Sequence, residues 1–359
     1  MSRFWSEIVN QLTPYMPGEQ PRIDGLIKLN TNENPYPPSP KVLSAISLAN
    51  HESLRKYPDP NAGALKEAIA NYYSEFGISA QNVFVGNSSD EVLAHTFKGL
   101  LKHDKPLLFP DITYSFYPVY CRLFEVDYKT VPLRDDYSIN INDFEQGNGG
   151  IIFANPNAPT GRALTIKQVS QLLMNHPDSV VVMDEAYIDF AEGEVRSAVE
   201  LVSKFPNLLV TQTLSKSRNL AGLRVGLAIG SPELIEGLER VKNSFHPYAL
   251  DSLALAGAVA AFEDSAYFNQ CCKQVIATRQ WFTEELGELG FEVIPSSTNF
   301  VFATHPTVDT HSLFSGLREN NIIVRYFDQE RLNKHLRISI GTDSEMKHCK
   351  QTLEKLVNH

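Results

Sequence analysis

The sequence predicts an α/β fold: a large domain with a mostly parallel sheet flanked by helices, followed by a smaller α+β domain. Across residues 40–230, short apolar runs alternate with helical stretches, which is typical of strands joined by helical crossovers. Several runs are continuously apolar, as expected for strands covered on both faces. The chain has 359 residues, of which 43% are hydrophobic, enough for a large core. We predict an N-terminal arm (1–39) that joins the small domain and the active site, a large domain (40–245) and a C-terminal domain (246–359).

The arm is rich in proline and asparagine, above all in residues 13–18 and 30–38. Each proline disfavours helix in the residue before it, so an extended path with turns is expected. A solvent-exposed linker is the simplest interpretation. The unusual asparagine cluster and the apolar entry at residues 27–29 favour an arm that takes part in a site instead.

The large domain contains six candidate strands, at 83–85, 107–109, 151–153, 180–183, 208–212 and 225–229, with helices such as 64–76 and 167–175 between them. Residues 231–289 have a helical pattern, and Pro232 suits a helix start. Within them, the alanine-rich stretch 250–262 predicts a buried helix. The tail alternates again (299–303, 311–320, 322–326, 336–340 and 344–357), as expected for a small α+β domain.

Composition argues against several classes of protein. The formal net charge of −10 disfavours nonspecific nucleic-acid binding, although a local basic pocket can still hold an anion. The four cysteines include the adjacent pair Cys271 and Cys272 but no CxxC motif, so we expect reduced thiols and no metal site. The sequence shows neither a membrane-length apolar run nor a secretory signal, and a cytoplasmic location is expected.

A helix start follows the first candidate strand. Residues 86–91 precede a helix predicted to run to about Leu101, and Ser88 with Glu91 fits a capping box. Taken alone, the motif indicates only a well-capped helix. Its free N–H groups and the positive end of its dipole also suit a phosphate.

Polar residues at three other strand ends carry more specific chemistry. Asp184 ends an apolar strand, where a carboxylate is costly unless it is paired, and it either caps the next helix or pairs with a cation. Lys216 stands beside Ser215, and Arg224 follows eight residues later; the hydroxyl and the guanidinium can hold a phosphate. Tyr114 follows another strand and can stack on a planar ring, although aromatic residues there are more often core. A lysine nucleophile, an acid at a strand end and phosphate ligands are what pyridoxal phosphate requires.

In this order, these segments resemble the fold-type-I pyridoxal-phosphate aminotransferases, and the chain resembles the histidinol-phosphate aminotransferases among them from end to end. The matching segments are 12–15, 29–36, 55–58, 89–91, 184–187, 213–216, 220–224 and 336–339.

The resemblance implies a role for each cofactor-binding residue. Lys216 would attach the cofactor covalently and move protons, Asp184 would pair with the ring nitrogen, and Tyr187 would bond the phenolic oxygen. Tyr114 would stack on the ring. The implied phosphate ligands are the backbone at Ser89 and Asp90, the side chains of Ser215 and Arg224, and Tyr57 from a partner subunit. The resemblance therefore also implies a homodimer.

It further implies a substrate-binding set. Arg337 would clamp a carboxylate, Tyr15 and Arg325 would contact a phosphate or the distal group, and Asn34 would lie with them. One position departs from the family pattern, because Ala158 stands where an asparagine often contacts the phenolic oxygen. Either Asn157 replaces that contact through a shifted turn, or Tyr187 works without it.

The reaction implied is amino-group exchange between histidinol phosphate and 2-oxoglutarate, yielding imidazole-acetol phosphate and glutamate in histidine biosynthesis. Three alternatives remain open. They are an aromatic amino acid aminotransferase, a phosphothreonine decarboxylase and a cofactor-binding regulatory domain without turnover; retention of both Lys216 and Asp184 argues against the last.

Overall fold

The computed structural model describes residues 2–358. Its strands are β1 (Ile27–Leu29), β2 (Val83–Asn87), β3 (Leu107–Pro110), β4 (Tyr128–Val131), β5 (Gly150–Ala154), β6 (Val181–Asp184), β7 (Leu208–Thr213), β8 (Val225–Gly230), β9 (Glu292–Ile294), β10 (Phe300–Thr304), β11 (Ile322–Tyr326) and β12 (Leu336–Ser339). Its α-helices are α1 (Glu7–Gln11), α2 (Pro40–Ala49), α3 (Gly63–Tyr72), α4 (Ser88–Gly99), α5 (Tyr117–Phe124), α6 (Ile166–Asn175), α7 (Pro232–Phe245), α8 (Ser252–Glu263), α9 (Ser265–Glu288), α10 (Thr310–Glu319) and α11 (Asp343–Val357).

A seven-stranded sheet in the order β2-β8-β7-β6-β5-β3-β4 forms the large layer. Strands β3 to β7 pair in parallel, and β8 runs antiparallel to both β2 and β7. The register places Ala154, Asp184 and Thr211 side by side. The carboxyl ends of the central parallel strands therefore meet at one edge, where ligands bind in open α/β sheets.

Both faces of this sheet are covered. Along β6, Val181 and Met183 belong to one hydrophobic cluster, whereas Val182 belongs to a second on the opposite face. The predicted α/β class with a mostly parallel sheet is confirmed. Strand β4 was missed because Tyr128, Lys129 and Thr130 are exposed at the sheet edge, so its sequence is not apolar.

A five-stranded sheet in the order β1-β11-β12-β10-β9 forms the second layer, packed with α9, α10 and α11. Strand β1, from the N-terminal arm, pairs in parallel with β11. The arm thus contributes a strand to the C-terminal sheet and continues into residues that lie beside Lys216.

Helix α8 is buried, as its composition predicts, and packs against α2 and α3. Ala254 and Ala258 belong to the core of the large layer, whereas Phe268 and Val275 of α9 belong to the core of the second. The packing therefore changes layer near Asp264, where α8 gives way to α9. The division into domains itself stays a prediction.

Within residues 2–358, no helix combines the length and the apolar character needed to cross a membrane.

Candidate active site

A cavity of about 650 Å³ lies between the two sheets and the N-terminal arm. Most of the predicted site residues line it: Tyr15, Ser89, Asp90, Tyr114, Asp184, Tyr187, Ser215, Lys216, Arg224, Arg325 and Arg337. Asn34, Asn157 and Tyr57 lie outside this lining. Residues far apart in the sequence thus converge on one space that contains both a lysine and a buried carboxylate.

Lys216 follows β7 and lies half-buried in the cavity wall. Its Nζ donates a hydrogen bond to the Thr31 carbonyl at 2.8 Å and lies 5.9 Å from the centre of the Tyr187 ring. Burial, together with the positive charge of Arg337, lowers the pKa of Lys216 to about 8. Near neutral pH, a sizeable fraction of this amine is therefore unprotonated and able to act as a nucleophile.

Asp184 ends β6 and is only 4% exposed. Its carboxylate accepts hydrogen bonds from the Tyr117 hydroxyl at 2.9 Å and the Thr211 hydroxyl at 3.1 Å. Burial raises the pKa of Asp184 to about 6, although these two hydrogen bonds oppose the shift. Because its oxygens are used in this way, Asp184 does not cap the following helical turn. A buried carboxylate held by neutral donors suits a cationic ligand atom, which would restore a low pKa.

Tyr187 is held by a residue that the sequence analysis missed. The Asn32 amide donates to the Tyr187 hydroxyl at 2.9 Å, and the ring packs edge-on against Phe300. The Asn157 side chain, one of the two alternatives for this contact, is fully buried and is not among the residues that line the cavity. Its amide donates to the Ile112 carbonyl at 2.9 Å.

The reason for this orientation is the turn that contains Asn157. The Asn157 N–H donates a hydrogen bond to the Arg162 carbonyl, and its own carbonyl accepts one from the Gly161 N–H. Its side-chain amide also donates to the Thr160 hydroxyl. The side chain thus completes the turn, and Ala158 and Pro159 line the cavity instead. The clustering of asparagines in the arm was the only sequence signal that pointed to Asn32.

The amino end of α4 opens into the cavity. The predicted Ser88–Glu91 capping box does not form: Asn87 is the N-cap and its side chain makes no cap hydrogen bond, although its backbone N–H donates to the Glu91 carboxylate at 2.6 Å. A Cβ added at Gly226 of β8 would lie 2.2 Å from the Ser89 nitrogen. Glycine is therefore required there, because β8 approaches the start of the helix so closely.

Hydroxyl and guanidinium groups surround this helix start. Arg224, at φ +56°, donates to the Asp90 carboxylate at 3.0 Å, and the Tyr114 hydroxyl donates to the other oxygen of Asp90 at 3.1 Å. Ser215 accepts a hydrogen bond from the Thr213 hydroxyl, which leaves its own proton available. Backbone N–H groups at a helix start, a free hydroxyl and a guanidinium form a cradle for a phosphate.

Two further guanidiniums come from the second sheet. Arg325 and Arg337 are opposite each other in the β11–β12 register. Both lie against the Phe327 ring, with their guanidinium carbons 5.3 and 5.5 Å from its centre. Arg337 donates to the Asn30 carbonyl, and its Nε is buried without a partner among residues 2–358. This end of the cavity suits a second anionic group.

Asn34 and Tyr57, which were predicted to be site residues, do not line the cavity. The Asn34 amide donates to the backbone carbonyl of Lys216 at 2.9 Å, so in this chain it holds the lysine loop rather than the substrate side of the cavity. Tyr57 is 82% exposed and stacks on Tyr248 at 4.7 Å, outside the cavity of its own chain.

These residues fit pyridoxal phosphate on their own chemistry. Lys216 can bind its aldehyde carbon, Asp184 its protonated ring nitrogen, and Tyr187 its phenolic oxygen, with Tyr114 beside the ring. The backbone at Ser89 and Asp90, with the side chains of Ser215 and Arg224, can bind its phosphate. All the contacts named here come from residues of this chain; only the implied contact of Tyr57 with the phosphate would come from a second chain.

Comparisons with known proteins agree with this chemistry. The family model for aminotransferase class I and II matches residues 24–353. The chain is 59% identical over 360 residues to histidinol-phosphate aminotransferase 2 of Dechloromonas aromatica, covering 99% of each chain. It is also 59% identical over 345 residues to histidinol-phosphate aminotransferase 1 of Hydrogenovibrio crunogenus, covering 96% of this chain and 95% of the relative.

Solved structures share the fold. A histidinol-phosphate aminotransferase from Sinorhizobium meliloti, in complex with pyridoxal-5'-phosphate, superposes with a TM-score of 0.88 at 22% identity and covers 100% of this chain and 98% of its own. A putative histidinol-phosphate aminotransferase from Erwinia carotovora atroseptica gives a TM-score of 0.85 at 23% identity, covering 93% of this chain and 97% of its own. At these identities the likeness establishes the fold.

Proposed function

This chain belongs to the class I and II aminotransferases, which use pyridoxal phosphate, and we propose that it exchanges an amino group between histidinol phosphate and 2-oxoglutarate. The products are imidazole-acetol phosphate and glutamate, in histidine biosynthesis. The observation that carries the proposal is a single cavity in which Lys216 lies with two separate groups that can bind anions. Arg224, beside the start of α4, suits the cofactor phosphate, and the pair Arg325 and Arg337 suits a substrate anion. The names of the full-length relatives support this choice of substrate.

The protein's residues have distinct tasks in this reaction. Pyridoxal phosphate, when bound, supplies the electron sink that stabilises negative charge at the substrate's α carbon. Lys216 would attach the cofactor and, once released, would take the proton from the substrate's α carbon as general base and deliver it to the cofactor's C4′ as general acid. Asp184 keeps the ring nitrogen protonated, and Tyr187 holds the phenolic oxygen.

A donor screen tests this function against its alternatives. Histidinol phosphate, phenylalanine and phosphothreonine are offered separately with 2-oxoglutarate, and glutamate and carbon dioxide are measured. We expect glutamate formation to be fastest with histidinol phosphate. A preference for phenylalanine would indicate an aromatic aminotransferase, and carbon dioxide from phosphothreonine without any keto acid would indicate a decarboxylase.

Arg325→Ala should impair histidinol phosphate much more than glutamate. A guanidinium binds a phosphate dianion bidentately, and loss of such a bond costs about 1.5–3 kcal/mol, or roughly 10- to 100-fold in kcat/KM. The kcat/KM of each half-reaction is measured for the variant. Arg240→Ala, which removes an exposed arginine paired with Glu236 on α7, is the control. Equal losses for both substrates would show that Arg325 does not bind the substrate phosphate.

We also propose that the enzyme is a homodimer in which Tyr57 serves the partner's cofactor phosphate. In this chain Tyr57 forms an exposed aromatic patch with Tyr248, which is 39% exposed. Such a patch suits an interface with a second copy. The simpler alternative is that Tyr57 packs only within its own chain.

Mixing of subunits separates these two roles for Tyr57. Tyr57→Ala and Lys216→Ala homodimers should both be impaired. If Tyr57 acts across the interface, a mixed dimer contains one intact site, and activity should return toward half that of wild type. If Tyr57 acts within its own chain, mixing restores nothing. Exchange of subunits is verified with a tagged chain.

We place the enzyme in the cytoplasm, with small-molecule substrates and without nucleic acid or membrane partners. The acidic composition and four buried, unpaired cysteines support this location.

A further inference from the structure

Arg218, two residues after Lys216, is a buried arginine inside a box of aromatic rings. Its guanidinium carbon lies 3.9 Å from the centre of the Phe262 ring, 4.2 Å from Phe268 and 4.8 Å from Tyr72. Its NH1 donates to the Ala261 carbonyl at 2.7 Å, in the last turn of α8. The side chain is therefore fixed on several sides, and it does not line the cavity that contains Lys216.

The charge of Arg218 is held without a direct salt bridge among the residues that the structure describes. The aromatic faces and the negative end of α8 stabilise it instead. Asp189 is close enough to interact with Arg218: burial raises the pKa of Asp189, and the charge of Arg218 and the Ser217 hydroxyl oppose that rise. An apolar side chain would fill the same space without the cost of desolvating a cation, so simple packing does not explain an arginine here.

The three rings come from three helices. Tyr72 ends α3, Phe262 belongs to α8 of the large layer, and Phe268 belongs to α9, which is buried in the core of the second layer. Arg218 therefore lies where the two layers join, and its position depends on how these helices pack together.

The residues on either side of Arg218 are also anchored. The Ser217 hydroxyl donates to Asp189 at 2.5 Å, and the Asn219 amide donates to the Pro37 carbonyl at 2.9 Å. Asp189 lies two residues after Tyr187, and Pro37 belongs to the arm whose Asn34 holds the Lys216 carbonyl. Each residue from 216 to 219 is thus hydrogen-bonded to a neighbouring segment: Lys216 and Asn219 to the arm, Ser217 to Asp189 and Arg218 to the end of α8.

We propose that Arg218 is a positioning residue for Lys216: its guanidinium, locked in the aromatic box, sets the path of the loop and hence the direction of the lysine side chain. The inference rests on the proposed function of Lys216. Only Ser217 separates the two residues, so a shift of the guanidinium is passed along the backbone to Lys216. Misplacement of a reacting group by about 1 Å can cost about a hundredfold in rate.

The test compares Arg218→Met and Arg218→Lys with Arg279→Met in the intact, cofactor-loaded enzyme. Arg279 is a suitable control because it is also buried and bonds backbone carbonyls, at Phe190 and Thr298, but lies on α9 away from the lysine loop. Three quantities are measured: the midpoint of the pH-dependent change in the absorbance of the bound cofactor, the separate kcat and KM values, and Tm.

We expect Arg218→Met to shift the absorbance midpoint by about half a unit or more, since the surroundings of the lysine change. Its kcat should fall by about tenfold to a hundredfold with little change in KM, because Arg218 does not touch the substrate. Arg218→Lys, which keeps the charge but not the planar contacts, should fall between Arg218→Met and wild type, and it carries the test if Arg218→Met does not fold. Arg279→Met should lower Tm while its midpoint and kcat stay those of wild type.

Arg218 variants that lower Tm but keep the wild-type midpoint and kcat would overturn the inference and show a purely structural role. An equal shift of the absorbance midpoint in Arg279→Met would also overturn the inference, since any buried arginine would then have this effect. A wild-type protein whose cofactor is not attached at Lys216 would instead overturn the proposed function.

Discussion

Lys216→Ala is expected to lose amino-group transfer while still binding the cofactor. The variant loses both the nucleophile and the group that moves the α proton, and the expected fall in kcat is roughly a thousandfold or more. The phosphate cradle at α4 and Arg224 and the ring contacts at Asp184 remain in place. Turnover is measured with histidinol phosphate and 2-oxoglutarate, and cofactor binding is measured by equilibrium dialysis.

Chemical fixation provides the companion measurement. Borohydride reduction of the wild-type protein should link the cofactor covalently to the peptide containing Lys216. Lys167→Ala, which removes an exposed lysine on α6, should leave both labelling and turnover unchanged. Finding the cofactor on another lysine, or on none, would refute the assignment.

Asp184→Asn is expected to give the second large loss. The substitution preserves size but replaces one acceptor oxygen with an amide donor, and it removes the negative charge that keeps the ring nitrogen protonated. Without a protonated ring, negative charge at the α carbon is no longer stabilised, and kcat should fall about a hundredfold or more with the cofactor still bound. The measurement is kcat together with the cofactor content of the purified variant.

The neighbouring Glu185 offers a matched control. It is also buried, but its carboxyl group is held by Ser197, the Ala198 N–H and Gln212, outside the cavity. Burial raises the pKa of Glu185 to about 8, so near neutral pH it is mostly protonated and already resembles an amide. Glu185→Gln should therefore keep wild-type turnover. Near-normal turnover in Asp184→Asn would mean that the carboxylate has only a structural role.

The large sheet and the position of Asp184 at its edge could be predicted because their signals are local. Continuous apolar runs predict strands covered on both faces, and Asp184 directly ends such a run. Strand β4 carried no such signal because it is exposed at an edge. The packing of α8 against α2 and α3 depends on three-dimensional contacts that its alanine-rich composition does not specify.

The contacts within the site were much less predictable. Tyr117 and Thr211 hold Asp184 from 67 and 27 residues away, and Asn32 reaches Tyr187 across 155 residues. Nothing in these residues alone indicates such partners. The direction of the Asn157 side chain could not be predicted either, because it depends on hydrogen bonds that close the turn.

The central claim is that histidinol phosphate gives its amino group to a cofactor held at Lys216. It is tested most directly by mixing the loaded enzyme with histidinol phosphate in the absence of any keto acid. We expect loss of the absorbance band of the bound cofactor and one equivalent of imidazole-acetol phosphate per site; 2-oxoglutarate should then restore the band and release one equivalent of glutamate. An unchanged band, or product formed without glutamate after 2-oxoglutarate is added, would contradict it.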